Sequence, residues 1–267
     1  MPQWQGTATV YRMPHDHLIE MLDLDTEVLH DYHRELVAWV GREAPDHPRV
    51  VDLGAGSGTG SLALARELAG AQVTAVDVDP EMLAHLRAKV DAAGLADRIH
   101  TRTADLDQPW PDFGPTDVIW AASAMHHMAD PEGALAEAFK ALGTGGLLVI
   151  AELDSFPRFL SGTPDEDVEE RGHAALDRLR HEAGMHMHED WGDRARHAGF
   201  HTVTRRRFDI DLRPPLPAPA PRYAEVVLHR MRDRLDGLLS TADLARLAAP
   251  RGDISVRTTR TVWLARR

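Results

Sequence analysis

The sequence predicts an α/β fold built on a mostly parallel sheet, and three observations predict it. Short apolar strands alternate with helical stretches between residues 49 and 151. A glycine-rich turn, Gly54-Ala55-Gly56-Ser57-Gly58-Thr59-Gly60, joins the first of these strands to a helix. Strands separated by helical crossovers run parallel, because parallel neighbours need long connections.

From Leu18 to Val40 apolar residues recur at helical spacing (Leu18, Leu22, Leu29, Leu36, Val40), with Asp25 and Thr26 placed to cap the second of two helices. The segment reads as a helix packed on the sheet or as a cover over a ligand site. After a break at Pro45 to Pro48, strands are expected at Arg49–Leu53, Gln72–Val76, Ile99–Arg102, Asp117–Ala121 and Leu147–Ala151. Helices are expected at Ser61–Ala69, Pro80–Ala93 and Pro131–Leu142. The charged, histidine-rich stretch from Asp154 to Asp190, with a helical pattern over Val168–Arg180, reads as an insertion beside the sheet. Thr202–Leu212 alternates like a strand. Pro214, Pro215, Pro217, Pro219 and Pro221 form a stiff connector. A helical pair (Tyr223–Leu239, Thr241–Ala248) follows, and Ile254–Ala265 is a strand hairpin or a single strand. The expected organisation is an N-terminal helical cover (1–45), a cofactor-binding α/β core (46–153), an insertion and substrate cover (154–195) and the rest of the same sheet (196–267).

With 267 residues and 43% hydrophobic content the chain can bury a full core. It has no cysteine, which excludes disulfides, thiolate metal sites and cysteine nucleophiles. The net charge of −12 disfavours a phosphate-backbone partner, and the run Arg205 to Arg207 reads as a solvated strand edge. No nucleic-acid partner is therefore expected. Met1 to Val10 is polar, without a signal-like apolar stretch, and the longest apolar runs are too short for a membrane span. The expectation is a cytoplasmic monomer or homodimer with a small-molecule substrate.

The amides of the glycine loop and the following helix N-terminus favour an anionic group such as a carboxylate. Dinucleotide binders use similar loops, but their strict spacing from Gly54 would place glycine where Thr59 stands; counting from Gly56 gives a looser match. The next strand ends in Val76-Asp77-Val78-Asp79-Pro80. Asp79 precedes proline and suits a helix N-cap, which leaves Asp77 to accept from ribose hydroxyls. Asp105, after the third strand, is placed to accept from an adenine amino group.

On these residues, with Leu142-Gly143-Thr144-Gly145-Gly146, the segment Val50 to Ala151 resembles the class I S-adenosylmethionine-dependent methyltransferase family, notably its small-molecule branch. The resemblance implies a Rossmann-like seven-stranded sheet in which the last strand, suited by Thr258 to Arg267, runs antiparallel. It implies S-adenosyl-L-methionine as cofactor, with Gly54, Gly56 and Gly58 against its methionine part and Asp52 anchoring the loop. Asp77 and Val78 would hold the ribose, Asp105 the adenine, Leu106 would pack on the ring, and Ala121 would line the same site. Gly143-Thr144 departs from the Lys-Pro-Gly-Gly usual there. The first 45 residues and residues 154–195 lie outside the resemblance.

Methyl transfer from a sulfonium is an in-line displacement, so the protein chiefly aligns the partners; a hydroxyl nucleophile needs a base, amines and activated carbons less so. Trp120 to Met128 leaves the fourth strand where ligands bind, and it lacks the Asn/Asp-Pro-Pro-aromatic motif of adenine-N6 methylation. His126 there is a candidate base or a pocket-shaping residue. Tyr11 can contact the cofactor carboxylate or cap the substrate. His15 with His17, and His186 with His188, are two apart, but no motif fixes an acidic partner, and no metal is expected. Trp191, His186 and His188, with Met185 and Met187, line a substrate pocket or form a second small core. The expected function is N-, O- or C-methylation of a small organic molecule, including natural-product aromatics and heterocycles. The alternatives are a protein or RNA methyltransferase, or a non-catalytic S-adenosylmethionine-binding protein. An NAD-dependent oxidoreductase is disfavoured by Asp105 and the Gly143 to Gly146 loop together.

Overall fold

Aliphatic runs too short for helices become strands, and the amphipathic stretches between them return the chain for the next parallel strand. The computed structural model describes residues 15–249 and 253–267. Two helices, α1 (His15–Val28) and α2 (His30–Glu43), precede β1 (Arg49–Leu53), α3 (Thr59–Glu67), β2 (Gln72–Asp77), α4 (Pro80–Ala92) and β3 (Ile99–Thr103). Then come β4 (Thr116–Ala122), α5 (Pro131–Ala141), β5 (Leu142–Arg158), α6 (Glu166–Glu182) and α7 (Trp191–His197). The remainder is β6 (His201–Leu212), α8 (Ala220–Arg234), α9 (Thr241–Ala248) and β7 (Val256–Arg266).

The sheet has seven strands in the order β3-β2-β1-β4-β5-β7-β6. Its first five are mutually parallel, and β7 lies antiparallel between β5 and β6. Alternate side chains supply a core on each face. Val50, Val118, Trp120 and Val149 join the core that includes residues of α2, α3, α4, α6 and α8; Val51, Ile119, Leu148 and Ile150 join the one that includes residues of α5 and α7.

Several elements differ from the sequence expectation: α7 is not among those expected, and β5 begins at Leu142, taking in the expected Gly143 to Gly146 loop. β5 does not stop at Ala151 but runs to Arg158, because its polar second half pairs with β7 as far as Arg158 against Arg257. α8 begins at Ala220, inside the expected proline connector, with Pro221 in its first turn, where the missing N–H costs nothing. Asp25 does not cap α2: the N-cap is Leu29, and Asp25 is drawn into an ion pair with Arg260.

α1 and α2 lie over the carboxyl ends of the strands. Leu24, Val28, Leu36 and Val40 belong to the main core, while Leu18 and Leu22 line a cavity below. Ion pairs hold α1 in place: Glu20 accepts a two-pronged contact from Arg222 of α8, Asp23 takes Lys89 of α4 at 2.6 Å, and Asp25 takes Arg260 of β7 at 2.7 Å.

Candidate active site

Along the carboxyl edge of the parallel strands lies a cavity of about 440 Å³, at the place and of the size expected for a ligand site in such a sheet. The loop after β1 forms its floor. Gly54 adopts φ +65° with no room for a side chain, since an added Cβ would stand 2.9 Å from that of Ala124. Gly58, in the left-handed region at φ +81°, caps α3; a Cβ there would come within 2.3 Å of Leu86. Gly58 thus serves close packing of the loop against α4 and does not line the cavity, whereas Gly54 and Gly56 do. Ala121 also differs from expectation: strand alternation buries it in the α5 side of the core, and Ala122 and Ser123 face the cavity instead.

The β1–β3 end of the cavity is acidic. Asp52, Asp77, Asp79, Asp105 and Asp107 line it, with Val78 and Leu106 beside them. Asp77 accepts from the amides of Gly56 (2.8 Å) and Asp79 (2.9 Å), which leaves carboxylate lone pairs for a ligand. Asp79 caps α4 through the amides of Glu81 and Met82, ahead of Pro80. Asp105 orders its own turn by accepting from Asp107 N at 3.0 Å. Asp52 is buried beneath the loop and accepts from Ser61 Oγ at 2.6 Å. Burial, aided by the nearby Asp77 carboxylate, pushes its carboxyl up to about 7.

This donor and acceptor set fits S-adenosylmethionine. Carboxylates suit a ligand that carries positive charge and hydroxyl donors. Asp77, Asp105, Gly54 and Gly56 all line the cavity.

The two histidines after β4 part company. His126 turns away from the cavity, because Glu152 of β5 holds its Nδ1 at 2.6 Å and accepts from the amides of Met125 and His126. It lines a separate, water-sized hollow with Glu152, His186, His188 and Trp191, and its carbonyl accepts from His186 N. The insertion histidines and Trp191 therefore surround this hollow and not the large cavity. His127 lines the large cavity from a position open to solvent, its ring tilted against that of His126 with centroids 4.1 Å apart; desolvation by the cavity wall and the neighbouring His126 lower its imidazole to about 4. Tyr11 and Arg12 lie outside the described residues.

The far end of the cavity holds residues that the sequence did not assign to a site. Asp25 accepts from Arg260 (2.7 Å) and from the Tyr223 hydroxyl (2.5 Å), with His33 Nε2 at 3.4 Å. Although burial opposes its charge, Arg260 and His33 hold Asp25 well below the usual carboxylate range. Tyr32 completes the group. These residues come from α1, α2, α8 and β7, so no local spacing links them.

Residues 51–150 match the family described as a methyltransferase domain. The demethylmenaquinone methyltransferase of Thermus thermophilus is 38% identical over 110 residues, 41% of this chain and 49% of that protein. The malonyl-[acyl-carrier protein] O-methyltransferase of Laribacter hongkongensis is 34% identical over 168 residues, 60% of this chain and 52% of that protein. The chain spans about half the length of these relatives. Among solved structures, phosphoethanolamine N-methyltransferase 2 of Haemonchus contortus, in complex with phosphomonomethylethanolamine and S-adenosylhomocysteine, is similar with a TM-score of 0.52 at 20% identity, over 86% of this chain and 51% of that one. The [4+2]-cyclase SpnF is similar with a TM-score of 0.53 at 19% identity, over 88% and 81%. These structural likenesses establish the Rossmann-like fold and, since one neighbour is a cyclase, not the reaction.

Proposed function

We propose that this chain, whose residues 51–150 form a class I S-adenosylmethionine-dependent methyltransferase domain, methylates a small organic molecule at nitrogen, oxygen or carbon. Natural-product aromatics and heterocycles are among the acceptors that suit it. The observation that carries the reading is the shape of the cavity. It runs from the acids at the ends of β2 and β3 to the region beneath α1 and α2, where Leu18, Leu22 and Leu36 line it beside Asp25, Tyr32, His33 and Arg260. A cleft of this size with mixed apolar and polar lining suits a compact molecule.

When bound, the cofactor supplies an electrophilic methyl group on a sulfonium. The chain's own part is alignment and exclusion of water. Asp77, Asp105 and the glycine loop set the cofactor's place; Ser123 and His127 at the end of β4 stand between the two ends of the cavity. His127, uncharged at neutral pH, can hold an acceptor O–H or N–H without placing a second positive charge beside the sulfonium. His126, fixed by Glu152, sets the position of His127 from behind.

Calorimetric titration with S-adenosylmethionine, S-adenosylhomocysteine and NAD tests the reading, followed by transfer of a labelled methyl group to a panel of small acceptors. Binding of the first two alone, with label in at least one small acceptor, is expected. Binding of NAD alone, or label only in protein or RNA, would overturn it.

A further inference from the structure

The charged residues lining the cavity are distributed unevenly. Its acids cluster at the β1–β3 end, and Arg260 is the single lysine or arginine among the described lining residues. Arg260 sits on β7, four strand positions from β2 in the sheet order, or about 19 Å at the usual spacing of about 4.8 Å. It therefore belongs to the end of the cavity away from the ribose and adenine sites.

Its side chain is 6% exposed and gives one N–H to Asp25, while its Nε has no partner among the described residues. A buried arginine left with spare donors costs stability unless something takes them. The Tyr32 ring lies 6.0 Å from the guanidinium carbon, and no described residue hydrogen-bonds its hydroxyl, on a side chain that lines the same chamber. A tie between α1 and β7 needs one donor. Arg260 brings a planar fork of five, the geometry that grips a carboxylate with two parallel hydrogen bonds. Leu18, Leu22, Leu36 and Trp120 line the same cavity, with Thr26 and His33 among its polar lining residues.

We propose that Arg260, braced by Asp25 and joined by the Tyr32 hydroxyl, binds a carboxylate of the methyl acceptor, so that the acceptor is an apolar acid whose body extends toward Ser123 and His127. This rests on the proposed function only for the identity of the ligand that shares the cavity. Asp25 keeps the guanidinium in place while offsetting part of its charge, and Tyr32 adds a neutral donor, so the fork's recognition of a carboxylate rests on its remaining N–H donors.

The test uses matched acids and amides: benzoate and benzamide, indole-3-acetate and indole-3-acetamide, hexanoate and hexanamide. Each is titrated calorimetrically into the protein saturated with S-adenosylhomocysteine. In at least one pair the acid binds tighter by roughly tenfold or more, the lower bound for a charged hydrogen bond. Arg260→Gln and Tyr32→Phe weaken the acid and leave the amide unchanged. Because Arg260→Gln strands the buried Asp25, the double variant Asp25→Asn with Arg260→Gln removes both charges and should show the same loss of acid preference. A purely structural tie would weaken acid and amide alike. That result, equal binding within every pair, or failure of every acid to bind overturns the anchor. S-adenosylhomocysteine binding is measured first in the same cell. If it is absent, the proposed function falls, and the acid–amide comparison is read on the protein without it.

Discussion

Asp23 of α1 accepts a hydrogen bond from Ser57 of the glycine loop at 2.7 Å, and through the same oxygen it takes Lys89 at 2.6 Å. One carboxylate thus ties the helical cover to the loop and to α4. His85 closes the set at 3.2 Å from the other oxygen. Asp23→Ala is expected to weaken cofactor binding by roughly two- to twelvefold, the range for a hydrogen bond worth about 0.5–1.5 kcal/mol. The loss should fall on the dissociation rate, measured by stopped-flow displacement, because the cover opens more often. An unchanged rate would mean that the cover does not gate the loop.

Gly58 and Leu86 make the tightest loop contact. Gly58→Ala demands both a left-handed alanine and displacement of Leu86, and should destabilise the fold by about 2–4 kcal/mol in urea unfolding. Leu86→Ala opens the space, so the double variant should lose less than the sum of the singles. Strict additivity would refute the contact as the cause.

Asp52 predicts a pH dependence. In the folded protein its carboxyl holds its proton up to about 7, against an ordinary value of 3.8. Folding therefore tightens this proton. The stabilisation is full below pH 3.8 and is lost as pH rises through 7. A cationic ligand beside Asp52 favours the ionised form, so its binding should release a proton and tighten by up to about tenfold for each unit that pH rises toward 7. His127, down at about 4, is already neutral over most of that range. Calorimetry at pH 6 in two buffers of different ionisation enthalpy should count close to one proton released, and none in Asp52→Asn. Equal proton release in both proteins would exclude Asp52.

Asp77 both braces Gly56 and faces the cavity, so its two roles can be separated. Asp77→Ala should weaken cofactor binding by about 1.5–3 kcal/mol, the size of lost charged hydrogen bonds. Asp77→Asn keeps one acceptor oxygen for Gly56 N but sets its NH2 against the amide of Asp79, so it should lose less stability than Asp77→Ala while losing most of the same affinity. Full affinity in Asp77→Asn would make the residue a loop brace and nothing more.

How much could be read from the chain alone follows from the range of each interaction. The glycine turn, the Asp79-Pro80 cap and the alternation of strands and helices depend on neighbours within a few positions, and those elements stand where the residues place them. His126 and His127 could not be told apart in the sequence, because what separates them is Glu152, 26 positions away from His126 and itself on an unrecognised extension of β5. Polar residues of β5 read as loop, since their strand state depends on pairing with β7. Asp25 read as a helix cap for the same reason: its partner Arg260 is 235 positions distant. Short-range chemistry was legible, and pairings made across the sheet were not.

The position of β7 bears on how the molecule is made. Its partners on β5, such as Asp154 for Thr261, precede it by 107 positions, and it must lie between β5 and a β6 that is also already synthesised. During translation the outer edge of β5 therefore waits unpaired while α6 to α9 emerge, an exposed edge of the kind that invites mispairing. Closure of that edge needs contacts of high sequence separation and so belongs to the slow part of folding. Arg260 arrives on the same strand, so the cavity gains the one arginine among its described lining residues only when the sheet is finished. A nascent chain can hold a complete glycine loop while the opposite end of the cavity is still unbuilt.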